Sequence, residues 1–324
     1  MRILVIGGAG YIGSHVVKSL LNAGMGVRVF DDMSTGQEAN LFQNAEFVKG
    51  SILDIEALEN ALEGKDGVVH LAAKKAVGES MEYPEKYAVN NLTGAINLLN
   101  AMAKKNVKYL VFSSSAAVYG TPQYPQIDEA HPVNPINFYG FTKLEMERYM
   151  QWYDTLKGIK FVSLRYFNAV GYDADGDILG LEQKPQNLLP VIMETLVGVR
   201  EKMAVFGTDY DTPDGTCVRD YIHVSDLATA HTLALQYLAK NNESQILNLG
   251  TGSGHTVLEM ITRTEELLGR KVNYEKAPRR SGDPAKLTAV STKANQILGW
   301  QPQHSDLDNI IQTTWAVYQK EYKC

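Results

Sequence analysis

The stretch ILVIGGAGYIG, residues 3–13, decides the fold. It reads as a strand, a glycine turn and the start of a helix, with Gly7, Gly10 and Gly13 spaced G-x-x-G-x-x-G. The first glycine permits the tight turn, the second lets backbone approach a pyrophosphate, and the third packs helix on strand. The helix N-terminus then faces the phosphates with its partial positive charge. An ordinary strand–helix turn is the competing reading of any glycine pattern. A strand before it and a helix after it are the context that favours a dinucleotide site. The next strand ends at Asp31, whose carboxylate would accept hydrogen bonds from the adenosine ribose and repel a 2'-phosphate. NAD is therefore expected over NADP, with the neighbouring Asp32 competing for the same assignment.

Outward from that stretch, short β-branched runs alternate with helical patterns. Strands are read at ILVIG, VRVFD, EFVKG, GVVHLAA, YLVFSSS and KFVSLRYF. Helices are expected over residues 12–23, 55–62, 84–104 and 139–157, the third marked by Leu92, Ile96, Leu99 and Met102 at helical spacing. Alternation with nearly all-apolar strands implies an α/β fold, a Rossmann-type doubly wound parallel sheet covered on both faces. After Asn168 the rhythm loosens into the Gly- and Asp-rich AVGYDADGDILGLEQKP, a helix over 187–199, the strand MAVFG and the loop TDYDTPDGTCVRD. A helix over 225–238 and the strand QILNLGT look set to rejoin the sheet, and the tail from Val257 carries two or three more helices. The division expected is an NAD-binding domain over 1–168, joined by segments near 219–250, and a smaller interleaved α/β substrate domain over 169–324.

The totals exclude several classes. A chain of 324 residues, 44% apolar and 21% charged, can bury a sizeable core. A net charge of −6 with no basic run argues against nucleic-acid binding. Two cysteines, Cys217 and Cys324, make no disulfide framework or zinc site and suit a reducing cytoplasm. No apolar run reaches the length of a membrane span, and a strand pattern beginning at Arg2 leaves no room for a signal peptide. No His/Asp/Glu grouping has metal-ligand spacing, so no metal is expected. His70 and His223 read as packed polar neighbours of other groups.

Chemistry enters with YGFTK, residues 139–143. On a helix Tyr139 and Lys143 share a face. An ammonium near a phenol favours the phenolate, as would the positive ring of bound NAD, and a phenolate is a competent base for a sugar hydroxyl. Tyr-x-x-x-Lys recurs by chance on many helices. VFSSSAAVYG, residues 111–120, changes the odds, because it lies at the C-terminal end of a strand, where open α/β sheets bind ligands. Ser115 is the hydroxyl expected to hydrogen-bond the substrate oxygen, with Ser113 or Ser114 left to cap a helix.

The segments GGAGYIGSH, KAVGES, NNLTG, FSSSAAVYG, RYFNAVG, GTCVRDYIHVSDLA and APRRSGDPAK, in that order, resemble those of the extended short-chain dehydrogenase/reductase family along essentially the full chain. The resemblance implies epimerisation at carbon 4 of a UDP-hexose, interconverting UDP-galactose and UDP-glucose through a transient 4-keto sugar with tightly bound NAD. It implies Ser115, Tyr139 and Lys143 as the catalytic set. Gly7, Gly10, Tyr11, Ile12, Gly13 and Asp31 would hold NAD, with Ser51, Ile52, Leu71, Ala72, Ala73, Lys75, Asn90, Ser113, Tyr166 and Phe167; Tyr139 and Lys143 would reach the cofactor as well. Lys75, Ser115, Tyr139, Asn168, Asn187, Leu188 and Tyr221 would touch the sugar nucleotide, and Ala204, Val205 and Phe206 would receive the uracil. Arg219 and Arg280, with Asp283, would bind the diphosphate and uridine ribose, a role that suits guanidiniums, and Phe206 offers a flat face to a base.

Two positions depart from the family's pattern. Ser51 stands where an aspartate usually reaches the adenine amine. Leu287 stands where narrower relatives carry a bulky aromatic, which would leave room for UDP-N-acetylhexosamines. The resemblance also implies a homodimer through the helices at 84–104 and 139–157. A UDP-glucuronate 4-epimerase and a sugar-nucleotide 4,6-dehydratase are the enzymatic alternatives, and an NAD-sensing regulator is the non-enzymatic one. Ala116 and Ala117 after Ser115 lack the acid and base a dehydratase needs, and a sensor would be expected to lose Ser115, Tyr139 or Lys143.

Overall fold

In the computed structural model, which describes residues 1–183, 185–280 and 284–324, the opening run becomes an interior strand of a sheet. Strand β1 (Arg2–Ile6) turns through the glycines into α1 (Tyr11–Asn22), and β2 (Gly26–Asp31) returns parallel beside it. β3 (Glu46–Lys49), α2 (Ile55–Ala61) and β4 (Gly67–His70) follow. Next come α3 (Val77–Glu82), α4 (Pro84–Tyr87), α5 (Gly94–Lys105) and β5 (Tyr109–Ser113). A short β6 (Gln126–Ile127) and the long α6 (Phe138–Lys157) lead to β7 (Lys160–Tyr166).

Beyond β7 lie β8 (Asn168–Val170), α7 (Leu188–Leu196), β9 (Met203–Phe206), β10 (Val218–Arg219) and β11 (Tyr221–His223). After α8 (Val224–Asn241), β12 (Gln245–Leu249) pairs with β7 and completes the first sheet. The remainder is β13 (His255–Thr256), α9 (Val257–Leu268), β14 (Tyr274–Ala277), β15 (Lys286–Ala289), α10 (Thr292–Leu298) and α11 (Leu307–Tyr322).

The large sheet runs β12-β7-β5-β4-β1-β2-β3 with every pair parallel. The chain works outward from β1 to β3 on one side and from β4 to β12 on the other. A crevice therefore opens beyond the carboxyl ends of β1 and β4, where the order reverses. The period-2 alternation of strands fills both faces. Ile3, Val5, Val69, Val111, Val162 and Leu164 pack with Val16, Leu20 and Leu235 of α1 and α8. Leu4, Ile6, Val68, Leu110, Phe112 and Phe161 pack with Leu58, Leu98, Met102 and Met150 of α2, α5 and α6. A third core gathers Leu189, Ile192, Met193, Met260, Ile261, Ile310 and Ile311 from α7, α9 and α11, beside the paired β9 and β14. β13-β10-β15-β6 form a smaller mixed sheet.

Three differences from the expected boundaries bear on the site. GVVHLAA stops as a strand at His70, where the Leu71 and Ala72 amides both donate to the Ile6 carbonyl and the chain bends across the cleft. YLVFSSS stops at Ser113. The helix expected over 84–104 is interrupted by a π-helical segment, Ala88–Thr93, between α4 and α5. Such wide turns gather at functional sites. Here it presents Asn91, which donates to the Lys74 carbonyl at 3.0 Å and accepts from the Lys74 amide at 2.8 Å. No helix among the described residues is long and apolar enough to cross a membrane.

Candidate active site

The glycine turn is cut to fit backbone. Gly7 adopts φ +81°, and a Cβ there would lie 2.8 Å from the Ala72 nitrogen; one on Gly13 would lie 2.0 Å from the Gly7 carbonyl oxygen. Gly10 is different, since its Cβ would meet only the Gly7 oxygen, at 3.3 Å. It faces a cavity of about 560 Å³ that runs along the carboxyl edge of the sheet. Gly7, Gly10, Tyr11, Ile12, Gly13, Asp31, Ser51 and Ile52 line one end of it. Leu71, Ala72, Ala73, Lys75 and Asn90 line the middle, and Ser113, Tyr139, Lys143, Tyr166 and Asn187 the other end.

The Asp31 carboxylate accepts the Ala9 amide at 3.0 Å and the Met33 amide at 2.9 Å, and burial raises its pKa. Asp32 is exposed and turns to the Ser34 amide at 2.8 Å. Asp31 is thus the residue held rigidly at the strand end. Ser51 accepts the Leu53 amide at 3.2 Å. A chamber this long, floored by a turn in which Gly7 and Gly13 admit no side chain and closed by a fixed carboxylate, fits a dinucleotide.

At the other end, Tyr139 hydrogen-bonds Ser115, and Lys143 donates to the Ser113 carbonyl at 2.7 Å. Lys143 lies over the Phe112 ring, its nitrogen 5.8 Å from the centre of the Tyr139 ring. The expectation that Lys143 would lower the Tyr139 pKa is reversed by depth. Burial pushes the Tyr139 phenol up to about 12 and the Ser115 hydrogen bond pulls only part of that back. Burial also brings Lys143 down to about 7, with Glu147 opposing it. The ammonium is spent on a backbone carbonyl, so its help to the phenol is weaker than a direct contact would give. Helix capping likewise falls to a different serine: Ser115, not Ser113 or Ser114, accepts the Ala117 amide at 3.1 Å and caps the short turn Ala116–Val118. Ser113 pairs instead with the Tyr166 hydroxyl.

The residues expected to hold the sugar nucleotide lie beyond Tyr139. Asn168 donates its side-chain amide to the Asp220 carbonyl at 2.9 Å and pairs in register with Tyr221. Asn187 and Leu188 begin α7, with Asn187 in the cavity wall. Arg219 sits opposite Leu287 in β10–β15, and Leu287 and Phe167 both pack against a small core that includes Ala116 and Val118, next to the Ser115 turn. Ala204 and Phe206 are half-buried on β9, but the Val205 side chain is in the third core, so only its backbone could meet a base. Phe206 does not offer a bare face: the Arg280 guanidinium covers it at 4.0 Å. Asp283 lies outside the described residues.

Several groups in the cavity were not picked out by sequence, four of them at its dinucleotide end. Glu182 pairs with Lys75 at 2.6 Å across the cleft, Gln37 donates to the Leu181 carbonyl, and Asn40 accepts the Gly180 amide at 2.9 Å. These contacts hold a strap, residues 180–183 with Gln183 at its end, over the dinucleotide end. Its root is fixed where Lys18 of α1 reaches Asp173, Asp175 and Asp177 at 2.7, 2.8 and 2.9 Å. These three carboxylates could hold a metal by spacing, but an ammonium already sits among them. The only signal in sequence was the density of Gly and Asp in 169–185.

The profile of the NAD dependent epimerase/dehydratase family matches residues 3–250. The chain belongs to that family. A UDP-glucose 4-epimerase of Streptococcus mutans is 48% identical over 98% of this chain and 96% of its own length. One of Lactobacillus helveticus is 46% identical over 100% and 98%. The crystal structure of UDP-glucose 4-epimerase from Brucella ovis in complex with NAD superposes with a TM-score of 0.95 at 42% identity, covering 98% of each chain. The epimerase/dehydratase match ends just past β12, so what the family profile spans is the complete seven-stranded sheet with its glycine turn, serine turn and Tyr139–Lys143 helix.

Proposed function

We propose that this chain is an NAD-dependent isomerase that interconverts UDP-galactose and UDP-glucose. The observation that carries the proposal is the Ser115–Tyr139 hydrogen bond, with Lys143 anchored beneath it, at the far end of a glycine-floored dinucleotide chamber. When bound, NAD supplies the acceptor and donor of hydride for carbon 4 of the hexose. Tyr139 takes the proton of the 4-hydroxyl and, once the ketone has turned to present its other face, returns it to the same oxygen. Ser115 shares the same oxygen. Gly7 to Gly13 and Asp31 hold the pyrophosphate and adenosine ribose. Arg219, Arg280 and β9 grip the nucleotide, and remote binding energy of this kind lets the reacting hexose remain loose enough to turn.

The positions after Ser115 are Ala116 and Ala117, which cannot serve the acid–base pair of a 4,6-elimination. Leu287, packed against the small core beside the serine turn and smaller than an aromatic, supports turnover of UDP-N-acetylhexosamines as well. Absence of turnover with saturating UDP-N-acetylglucosamine would remove that extension.

The working unit is proposed to be a homodimer in a reducing cytoplasm. Phe141, Trp152 and Leu156 stand exposed on α6, the last two by 64% and 68%, and their spacing puts them on one helical face. Trp152→Asp should yield a monomer by sedimentation. Purified protein given UDP-galactose without added NAD should form UDP-glucose. A 4-keto-6-deoxy sugar, or no conversion even with NAD supplied, would overturn the main reading.

A further inference from the structure

Behind the reacting groups lies a buried ion pair that the chemistry does not consume. Arg165 of β7 grips Glu147 of α6 through Nε at 3.0 Å and Nη2 at 2.5 Å, with the two side chains 5% and 2% exposed. Glu147 is one turn beyond Lys143 and two beyond Tyr139, so all three face the same way on α6. The remaining valences of the pair are spent on the serine turn. Ser114 donates to Glu147 at 2.6 Å, and Arg165 donates through Nη1 to the Tyr119 hydroxyl at 3.0 Å. The turn is therefore pinned on both sides of Ser115, once by the anion and once by the cation. Tyr119 in turn donates to Asn248 of β12 at 2.6 Å, and Ser163 donates to Glu147 at 2.7 Å, which leave the network satisfied.

Taking two charges out of water costs about what their attraction returns, so such a pair adds little net stability over apolar residues of the same volume. What it can supply is register. From this we infer that Glu147 and Arg165 are positioning residues, which fix the serine turn against α6 so that the Ser115 and Tyr139 hydroxyls meet at the distance proton transfer needs. The inference rests on the catalytic reading of Ser115, Tyr139 and Lys143 proposed above. It explains why two elements remote in sequence, the end of β5 and the start of α6, keep the Ser115–Tyr139 and Ser113–Lys143 contacts together.

Single hydroxyl deletions test it without removing a charge. Ser114→Ala cuts the pin to Glu147 and Tyr119→Phe the pin from Arg165. With UDP-galactose as substrate, each should lower kcat between about tenfold and a hundredfold, with KM within twofold of wild type. A second readout does not need turnover. In an ultraviolet titration of tyrosine ionisation, subtracting from each protein its own counterpart that also carries Tyr139→Phe isolates Tyr139, and both deletions should move its ionisation to higher pH, as Ser115→Ala does. Glu147→Gln should do the same, and if it fails to fold the two deletions still decide. If kcat stays within twofold of wild type in both deletions, or KM rises as kcat falls, or the Tyr139 titration does not move, the inference is overturned. Wild type inactive on UDP-galactose, or Tyr139→Phe fully active, would instead remove the catalytic reading and this inference with it.

Discussion

Tyr139 is asked to act as a base although burial holds its phenol at about 12. Each neighbour that favours the phenolate should therefore be visible in kinetics. Tyr139→Phe should lose about 10²–10⁴ in kcat, with melting unchanged. Ser115→Ala removes the hydrogen bond that lowers the phenol's pKa. Its rate should rise with pH along a curve displaced to higher pH than wild type, because the phenolate is then harder to form; a displacement to lower pH would contradict the assignment. At this scale the sequence spoke clearly where residues share an element. Tyr139 and Lys143 are four apart on one helix, and that spacing alone places them together. The balance of burial against charge was not readable, because how deep a helix face lies is decided by β5 and the serine turn that cover it. Glu147 was at the next position of the same spacing, but its partners Ser114 and Arg165 come from two other elements.

Among the elements, the glycine turn gives the sharpest contrast. A methyl on Gly13 would sit inside contact distance of rigid backbone, whereas one on Gly10 would press only lightly on the Gly7 oxygen and point into the cleft. Gly13→Ala should melt far below wild type or fail to fold. Gly10→Ala should melt within a few degrees of it and yet retain less NAD after purification, measured by absorbance of the released nucleotide. Equal melting of the two would contradict the geometry. Such turns are legible because strand, turn and helix are contiguous. The π-helical segment before α5 was not, since nothing in its composition separates it from the α-helix around it; Asn91 bonding to the Lys74 backbone is a contact between segments. The strap at 180–183 escaped for a related reason, being irregular chain ordered by Asn40, Gln37 and Lys75 from elsewhere.

For the molecule as a whole, four histidines are buried in neutral form. Burial lowers His15 and His231 to about 4 and His70 and His223 to about 3, against an ordinary 6.5. The unfolded chain binds protons that the native chain refuses between those limits. Each therefore contributes stability present in full above pH 6.5, lost as pH falls toward 4 at about 1.4 kcal/mol per pH unit. The melting temperature should drop steeply and cooperatively below pH 6, and His231→Phe should make the drop shallower. A flat profile between pH 7 and 5 would show these rings to be charged in place. The parallel, doubly covered sheet was legible from alternating strand and helix patterns, but the order of its strands was not, because pairing depends on how crossovers pack. That order has a temporal consequence. β1, an interior strand, leaves the ribosome before the other strands of the sheet, yet the edge strand β12 that closes it ends at Leu249. At about 5–20 residues per second, the sheet that β1 begins waits on the order of tens of seconds for its last strand. During synthesis β1 must be sheltered by its nearer partners or by chaperones, and a nascent chain halted before Gln245 should be open to proteases that the finished protein resists.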